Sequence, residues 1–157
     1  GHGHVGVVSS LAGVMPVPFS GSYTGSRYAI HGYFDSLRIE KLHTNLKLAV
    51  TLLCPGPTFT EFLQEAFTNT PGEKYGVSTS SADSRMSGER CGYLCAVALA
   101  NETDESWIAI FPTLLLTYAL VYFPMLSKLA IRILGPMRIF KFRDSRTEPF
   151  TEAKKEN

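Results

Sequence analysis

The chain has 157 residues, of which 45% are hydrophobic and 18% are charged, and its formal net charge is +1. This length is enough for one domain with a buried core. The near-neutral charge gives no general attraction to nucleic acid, so we expect no nucleic-acid partner. Three cysteines, Cys54, Cys91 and Cys95, are too few for a disulfide scaffold and indicate a reducing compartment.

The first elements in chain order are a short strand and a long helix. Val5 to Val8 is apolar and β-branched, which is typical of a buried strand. A loop rich in Ser, Gly and Pro follows, and the pattern predicts a helix from near Ser22, capped by Ser20 or Ser22. Tyr23 and Arg27 then lie one turn apart on the same face of that helix.

The rest of the first 110 residues continues to alternate between strands and helices. The predicted strands are Lys47 to Cys54, ended by a Pro-Gly-Pro turn, and Trp107 to Ile110. The predicted helices are Glu61 to Phe67 and a longer one capped by Ser87, separated by a mobile loop. This alternation is the pattern of parallel βαβ units and predicts an α/β fold.

Two cysteines and two histidines are candidate metal ligands by residue type. Cys91 and Cys95 are helical neighbours with no second Cys or His pair beside them, so we interpret them as a buried helix face. His31 and His43 are scattered and are interpreted as surface or core residues. The sequence therefore predicts no metal site.

An uncharged run, Trp107 to Met125, nearly reaches the length that spans a bilayer, and Pro112 and Pro124 bracket its helical part. A basic amphipathic helix follows, with Lys128 and Arg132 on one face. An apolar helix before a basic amphipathic one suggests a membrane surface. The alternative is that these helices cover a hydrophobic pocket in a soluble enzyme.

Tyr23 and Ser10 are the candidate reactive residues. A phenol is a poor acid or base at neutral pH, but a cation one helical turn away, such as Arg27, stabilises the phenolate. Ser10 and the turn from Pro55 to Thr60 follow strands, and ligands of open parallel sheets bind at the carboxyl ends of the strands. We expect these groups to face one crevice. The alternative is an ordinary helix start with a buried Tyr and a surface Arg.

Three motifs occur in order: "VVSSLAG", "YTGSRYAIHG" and "CPGPTFT". Together they resemble the second half of a short-chain dehydrogenase/reductase, over about residues 4–110. The segment "ESWIAIFPTLLLTY" is similar to the dehydrogenase/reductase member 7 branch, which is associated with the endoplasmic reticulum membrane. The resemblance implies the C-terminal part of a Rossmann-type doubly wound parallel sheet, followed by apolar C-terminal helices.

The resemblance also implies catalytic roles for three residues. Ser10 would hold the substrate carbonyl or hydroxyl, and Tyr23 would be the general acid or base. The cation at position 27 would support Tyr23 and bond the nicotinamide ribose of the cofactor. Arg27 stands where the family has Lys, and its planar guanidinium would place these hydrogen bonds elsewhere. We therefore expect weakened or lost catalysis.

The implied cofactor is NADP or NAD. Tyr23 and Arg27 would contact it, the backbone of Pro55 and Gly56 would face the nicotinamide, and Thr60 would bond its carboxamide. The family's Gly-rich phosphate turn is missing, so the preference between NADP and NAD is not readable. Because the family's N-terminal, cofactor-binding half is absent from the sequence, residues 1–157 are expected to be a fragment that folds poorly and is inactive alone.

The function that follows is an NAD(P)-dependent oxidoreductase acting on a lipophilic alcohol or ketone, such as a steroid or retinoid. The alternative is a non-catalytic, dehydrogenase-like protein that binds membrane or partners. The family resemblance also implies a possible homodimer. The expected location is the endoplasmic reticulum or another intracellular membrane, and otherwise the cytoplasm. The expected regions are the C-terminal half of a dehydrogenase domain at 1–110, apolar and basic C-terminal helices at 111–143, and a disordered tail at 144–157.

Overall fold

The computed structural model describes residues 2–18, 20–44, 46–68 and 70–135. Three strands form one parallel sheet in the order β1-β2-β3, and they are β1 (Gly3–Val8), β2 (Leu48–Pro55) and β3 (Glu105–Ile108). The predicted parallel α/β arrangement is confirmed. Within these ranges, five α-helices and one 3-10 helix connect or follow the strands: the 3-10 helix Leu11–Gly13, α1 (Gly21–Thr44), α2 (Phe62–Glu65), α3 (Gly88–Ala100), α4 (Thr113–Tyr122) and α5 (Pro124–Leu134).

The central strand β2 contains most of the core. Leu52 and Cys54 are fully buried because β2 has a strand on each side and helices over it. Leu11 from the 3-10 helix, and Ile30 and Phe34 from α1, pack against this cluster. Burying a leucine side chain of this kind contributes about 1.5–3 kcal/mol relative to leaving it exposed.

The edge strand β1 differs from the expectation of a buried strand. Val5 and Val8 are 37% and 64% exposed. Within the described residues β1 pairs only with β2, so its other edge has no strand beside it. A strand at the edge of a sheet keeps part of its side chains in solvent even when its sequence is apolar.

Two helix starts test the capping predictions. The Ser87 side chain accepts a hydrogen bond from the Arg90 N–H at 3.3 Å, so the predicted cap of α3 is confirmed. In α1 the helix begins at Gly21, which places Ser22 inside the first turn, and the prediction of Ser22 as a cap is wrong. The Ser20 carbonyl accepts the Thr24 N–H at 2.8 Å and begins the helical hydrogen bonding.

The third strand begins two residues earlier than predicted. Glu105 and Ser106 pair in register with Leu52 and Leu53, and β3 ends at Ile108. The start of β3 was missed because its first two residues, Glu105 and Ser106, are polar. Hydropathy alone favoured the apolar residues after them. The shift matters for the site, since it puts Glu105 inside the sheet.

The uncharged run from Trp107 to Met125 is divided among several elements, and the helical part predicted between Pro112 and Pro124 is present as α4. Its first residues belong to β3, its middle forms the ten-residue α4, and Pro124 begins α5, a position that proline favours. None of the helices in the described part is long and apolar enough to cross a membrane. The predicted basic amphipathic helix is present as α5, with Lys128 and Arg132 exposed. The tail predicted at 144–157 lies outside the described residues.

Candidate active site

Ser10 lies directly after β1, where the chain turns into the 3-10 helix. Its hydroxyl caps that helix by accepting the Ala12 N–H at 3.1 Å. The same hydroxyl donates to the carbonyl of Pro55 at 3.4 Å. Because Pro55 ends β2, this contact joins the carboxyl ends of two neighbouring strands, as expected for a parallel sheet.

Gly56 follows Pro55 and packs closely against its neighbours at the same end of the sheet. Its N–H donates to the Ile108 carbonyl at 2.8 Å, at the end of β3. A Cβ at Gly56 would lie 2.7 Å from the Ala109 Cβ and 3.1 Å from the Leu11 side chain, so only glycine fits without displacing its neighbours. Ser10, Pro55 and Gly56 therefore form one packed corner.

Tyr23 and Arg27 share a face at the start of α1, as predicted. The Arg27 guanidinium lies over the Tyr23 ring, 4.9 Å from its centroid. Such a stacked cation is attracted by the negative face of the ring. The Nε atom of Arg27 is buried and has no hydrogen-bond partner among the described residues. Among the predicted site residues that the structure describes, it is the one buried side-chain polar atom without a partner.

Thr60 reaches Tyr23 only through a neighbour. Its hydroxyl accepts the Phe62 N–H at 3.4 Å, and the Phe62 ring lies 5.7 Å from the Tyr23 ring. The segment after β2 thus lies against the first turn of α1. No hydrogen bond joins Ser10 to Tyr23 in the described chain, so the predicted site residues form two groups rather than one.

A polar cluster lies beneath this site, and the sequence did not predict it. His31 of α1, Cys54 of β2 and Glu105 of β3 place their polar atoms close together. The His31 Nε2 atom is 3.0 Å from the Ser9 hydroxyl and 3.6 Å from the Cys54 sulfur. Burial, and then the negative charge of Glu105, raise the pKa of the Cys54 thiol to about 12. His31 was interpreted as a surface or core residue, and it is a buried one with polar partners.

The other two cysteines confirm the prediction of an inward helix face. Cys91 is buried in α3 and Cys95 is half-buried, and both are free thiols. Burial and the neighbouring Cys91 raise the pKa of Cys95 to about 11. A cavity of about 230 Å³ lies beside α3 and β3, but it is lined by none of the predicted site residues.

Comparisons with known proteins agree with the motifs. A family model described as short chain dehydrogenase matches residues 1–71. Dehydrogenase/reductase SDR family member 7 of Homo sapiens is 30% identical over 141 residues, which are 90% of this chain and 41% of that protein. The chain thus spans about two fifths of the length of that relative. The resemblance drawn from the three motifs is confirmed.

Two further relatives match shorter stretches. Retinol dehydrogenase 8 of Homo sapiens is 42% identical over 60 residues, covering 38% of this chain and 19% of that protein. Hydroxysteroid 11-beta-dehydrogenase 1-like protein of Gallus gallus is 34% identical over 91 residues, covering 58% of this chain and 31% of that protein.

Proposed function

We propose that this chain carries the substrate side of an NAD(P)-dependent oxidoreductase site of the short-chain dehydrogenase/reductase family, whose model matches residues 1–71. The proposed substrate is a lipophilic alcohol or ketone. The observation that carries the proposal is the packed corner of Ser10, Pro55 and Gly56 at the carboxyl ends of the strands. Ligands of open parallel sheets bind at that edge.

In the proposed reaction two side chains handle the substrate oxygen. The Ser10 hydroxyl hydrogen-bonds the oxygen and fixes its position. The Tyr23 hydroxyl takes the proton when an alcohol is oxidised and returns it when a ketone is reduced. For this step the Ser10 hydroxyl exchanges its 3.4 Å bond to Pro55 for one to the substrate, while the Ala12 N–H continues to hold it.

The residues present fit the nicotinamide end of the cofactor. The unpaired, buried Nε of Arg27 is a donor that a ribose hydroxyl would satisfy. The backbone of Pro55 and Gly56 would lie against the nicotinamide, and the exposed Thr60 hydroxyl would bond its carboxamide. When bound, this group supplies or accepts the hydride.

Two observations favour a lipophilic substrate. Phe62 is 54% exposed and Phe67 is 84% exposed, and Phe62 contacts Tyr23 directly. The Phe62 ring gives an apolar approach to the proposed acid or base. The names of two relatives, a retinol dehydrogenase and a hydroxysteroid dehydrogenase-like protein, are consistent with a retinoid or steroid.

The proposed location is an intracellular membrane surface, such as that of the endoplasmic reticulum. In α5, Lys128 and Arg132 are exposed, and so are Leu129 and Ile133, at 54% and 74%. A helix with a basic face and an apolar face lies in the plane of an anionic membrane interface. This mode of attachment needs no membrane-spanning helix.

A second candidate function is a dehydrogenase-like protein without catalysis. It is favoured by the position of Arg27, whose guanidinium packs on the face of the Tyr23 ring. A lysine would supply a compact point donor instead, so the two cations are not interchangeable here.

Turnover of steroid and retinoid alcohols with NADP and NAD, measured in the complete natural protein, separates the two functions. Under the proposed function, Tyr23→Phe lowers kcat by about 10²–10⁴-fold, because the proton donor is lost. Tyr28→Phe is the matched control on the same helix, since Tyr28 is 44% exposed. Equal rates for Tyr23→Phe and the unchanged protein would contradict the proposal.

The substitution Arg27→Lys tests how the cation limits the reaction. The compact ammonium restores a point donor, so we expect kcat to increase. An unchanged kcat would mean that the guanidinium does not weaken catalysis at this position.

A further inference from the structure

The buried polar cluster beneath the strand ends has the geometry of a metal site. One donor atom from each of His31, Cys54 and Glu105 lies within 4.8 Å of the others. The Glu105 Oε1 atom is 3.9 Å from the Cys54 Sγ and 3.9 Å from the His31 Nδ1. Bonds of about 2.0–2.3 Å to a tetrahedral Zn²⁺ place its ligand atoms about 3.3–3.7 Å apart. Small side-chain movements would suffice.

We propose that His31, Cys54 and Glu105 bind a divalent transition-metal ion of the zinc type. An imidazole nitrogen, a thiolate and a carboxylate are the three ligand types that zinc takes in proteins. Three protein ligands leave the fourth tetrahedral position for water. Glu105 is the ligand with access to solvent, since its side chain is 28% exposed while that of His31 is 8% exposed.

Neighbouring side chains already orient two of the three ligands. Ser9 lies 3.0 Å from His31 Nε2, and Trp107 donates its indole N–H to Glu105 Oε1. A histidine that binds metal through one ring nitrogen usually donates its other ring N–H to such a partner. With Nε2–H donated to Ser9, the lone pair of Nδ1 is available to the ion.

The charges balance in the proposed complex. On binding, the Cys54 thiol loses its proton to solvent, and the S–H bond is replaced by a sulfur–metal bond. The thiolate and the Glu105 carboxylate together carry two negative charges, which the divalent ion neutralises. Without the ion, the same residues form a thiol contact and a 3.9 Å contact between His31 Nδ1 and Glu105 Oε1, which is the competing interpretation.

The proposed ion would connect three elements that are distant in sequence. It would tie α1 to β2 and β3, next to Ser9 and one residue from Ser10. The helix that carries Tyr23 would therefore be held against the strand ends. The metal site does not depend on the proposed oxidoreductase activity.

The test is a titration of the metal-free protein, in the same complete form as in the turnover assay, with Co²⁺, which replaces Zn²⁺ and is visible spectroscopically. We expect a thiolate-to-cobalt charge-transfer band and the intense visible bands of tetrahedral cobalt. Both should saturate at one ion per chain and disappear when Zn²⁺ is added. Zn²⁺ should also raise the unfolding temperature in a concentration-dependent way.

The variants separate this site from other cysteines. Cys54→Ala should abolish the charge-transfer band, and the milder Glu105→Gln should weaken Co²⁺ binding at least tenfold. The double variant Cys91→Ala, Cys95→Ala should keep the band unchanged. No charge-transfer band in the unchanged protein would overturn the proposal and leave only the contact between His31 and Glu105. A band that survives Cys54→Ala but not the double variant would overturn it in favour of α3.

Discussion

The sheet and the C-terminal helices have similarly apolar sequences but bury them very differently. In β2, Leu52 is fully buried and Leu53 is 2% exposed, whereas Leu115 in α4 is 58% exposed and Leu126 in α5 is 66% exposed. In α4 a polar residue, Thr117, is the fully buried one. Burial in this chain therefore follows from neighbours on both sides of an element, and hydropathy alone does not decide it.

The largest expected effect compares one leucine from each region. Leu52→Ala should lower the free energy of unfolding by about 2–5 kcal/mol, because it removes buried methyl groups and leaves a cavity. Leu126→Ala should change it by less than about 0.5 kcal/mol, because the side chain is already in solvent. The measurement is urea unfolding followed by circular dichroism.

Equal losses of stability in Leu52→Ala and Leu126→Ala would contradict the contrast between the buried sheet and the exposed C-terminal helices. They would mean that α5 is covered by another part of the protein in solution. A loss at Leu52 alone would establish the sheet as the stable unit.

The next effect concerns the exposed face of α5. Removing both basic residues with Lys128→Ala and Arg132→Ala should weaken binding to anionic vesicles by roughly 30-fold, since each contributes about 1 kcal/mol near such a surface. Flotation with phosphatidylserine-containing vesicles measures the dissociation constant. The control is Lys47→Ala with Arg90→Ala, which removes two exposed basic residues from the sheet region.

Comparing the α5 variant with the control variant shows whether α5 itself carries the binding to vesicles. Equal weakening by the control pair would show attraction by general charge rather than by α5. If the unchanged chain does not bind to the vesicles, the proposed membrane attachment is wrong. The apolar surface of α4 and α5 would then be a contact surface for another partner.

The sequence predicted the strand ends well for a physical reason. Strand–helix alternation implies parallel strands, and parallel strands end at the same edge, so Ser10, Pro55 and Gly56 were expected to meet there. The contact between Phe62 and Tyr23 was not predictable, because it depends on the path of the chain beyond the Pro-Gly-Pro turn. Local periodicity carries no information on that path.

The buried polar cluster was missed because its members are distant in sequence. Cys54 is 23 residues from His31 and 51 residues from Glu105. Only the register of β2 with β3 brings Cys54 beside Trp107 and close to Glu105. A polar residue at the start of an apolar strand, as in "ESWI", is the one sequence signal that could have indicated a buried partner.

The smallest expected effect lies in the turn between α3 and β3, within the better-packed region. Glu102 has φ of 49°, in the left-handed region that favours glycine, so Glu102→Gly should raise the unfolding temperature by roughly 1–3 °C. Asn101→Gly is the matched control and should lower it, because Asn101 has φ of −95° and its side chain donates to the Val97 carbonyl.

The gain from Glu102→Gly should depend on pH. A hydrogen bond from His2 lowers the pKa of the Glu102 carboxyl, so the ionised carboxylate stabilises the fold above its unfolded pKa. That contribution is lost from the unchanged chain as pH falls through the lowered pKa, whereas the glycine variant never has it. The advantage of glycine should therefore be larger at acidic pH than at pH 7, as measured by thermal unfolding at both. A pH-independent gain would mean that only backbone strain is relieved at this turn.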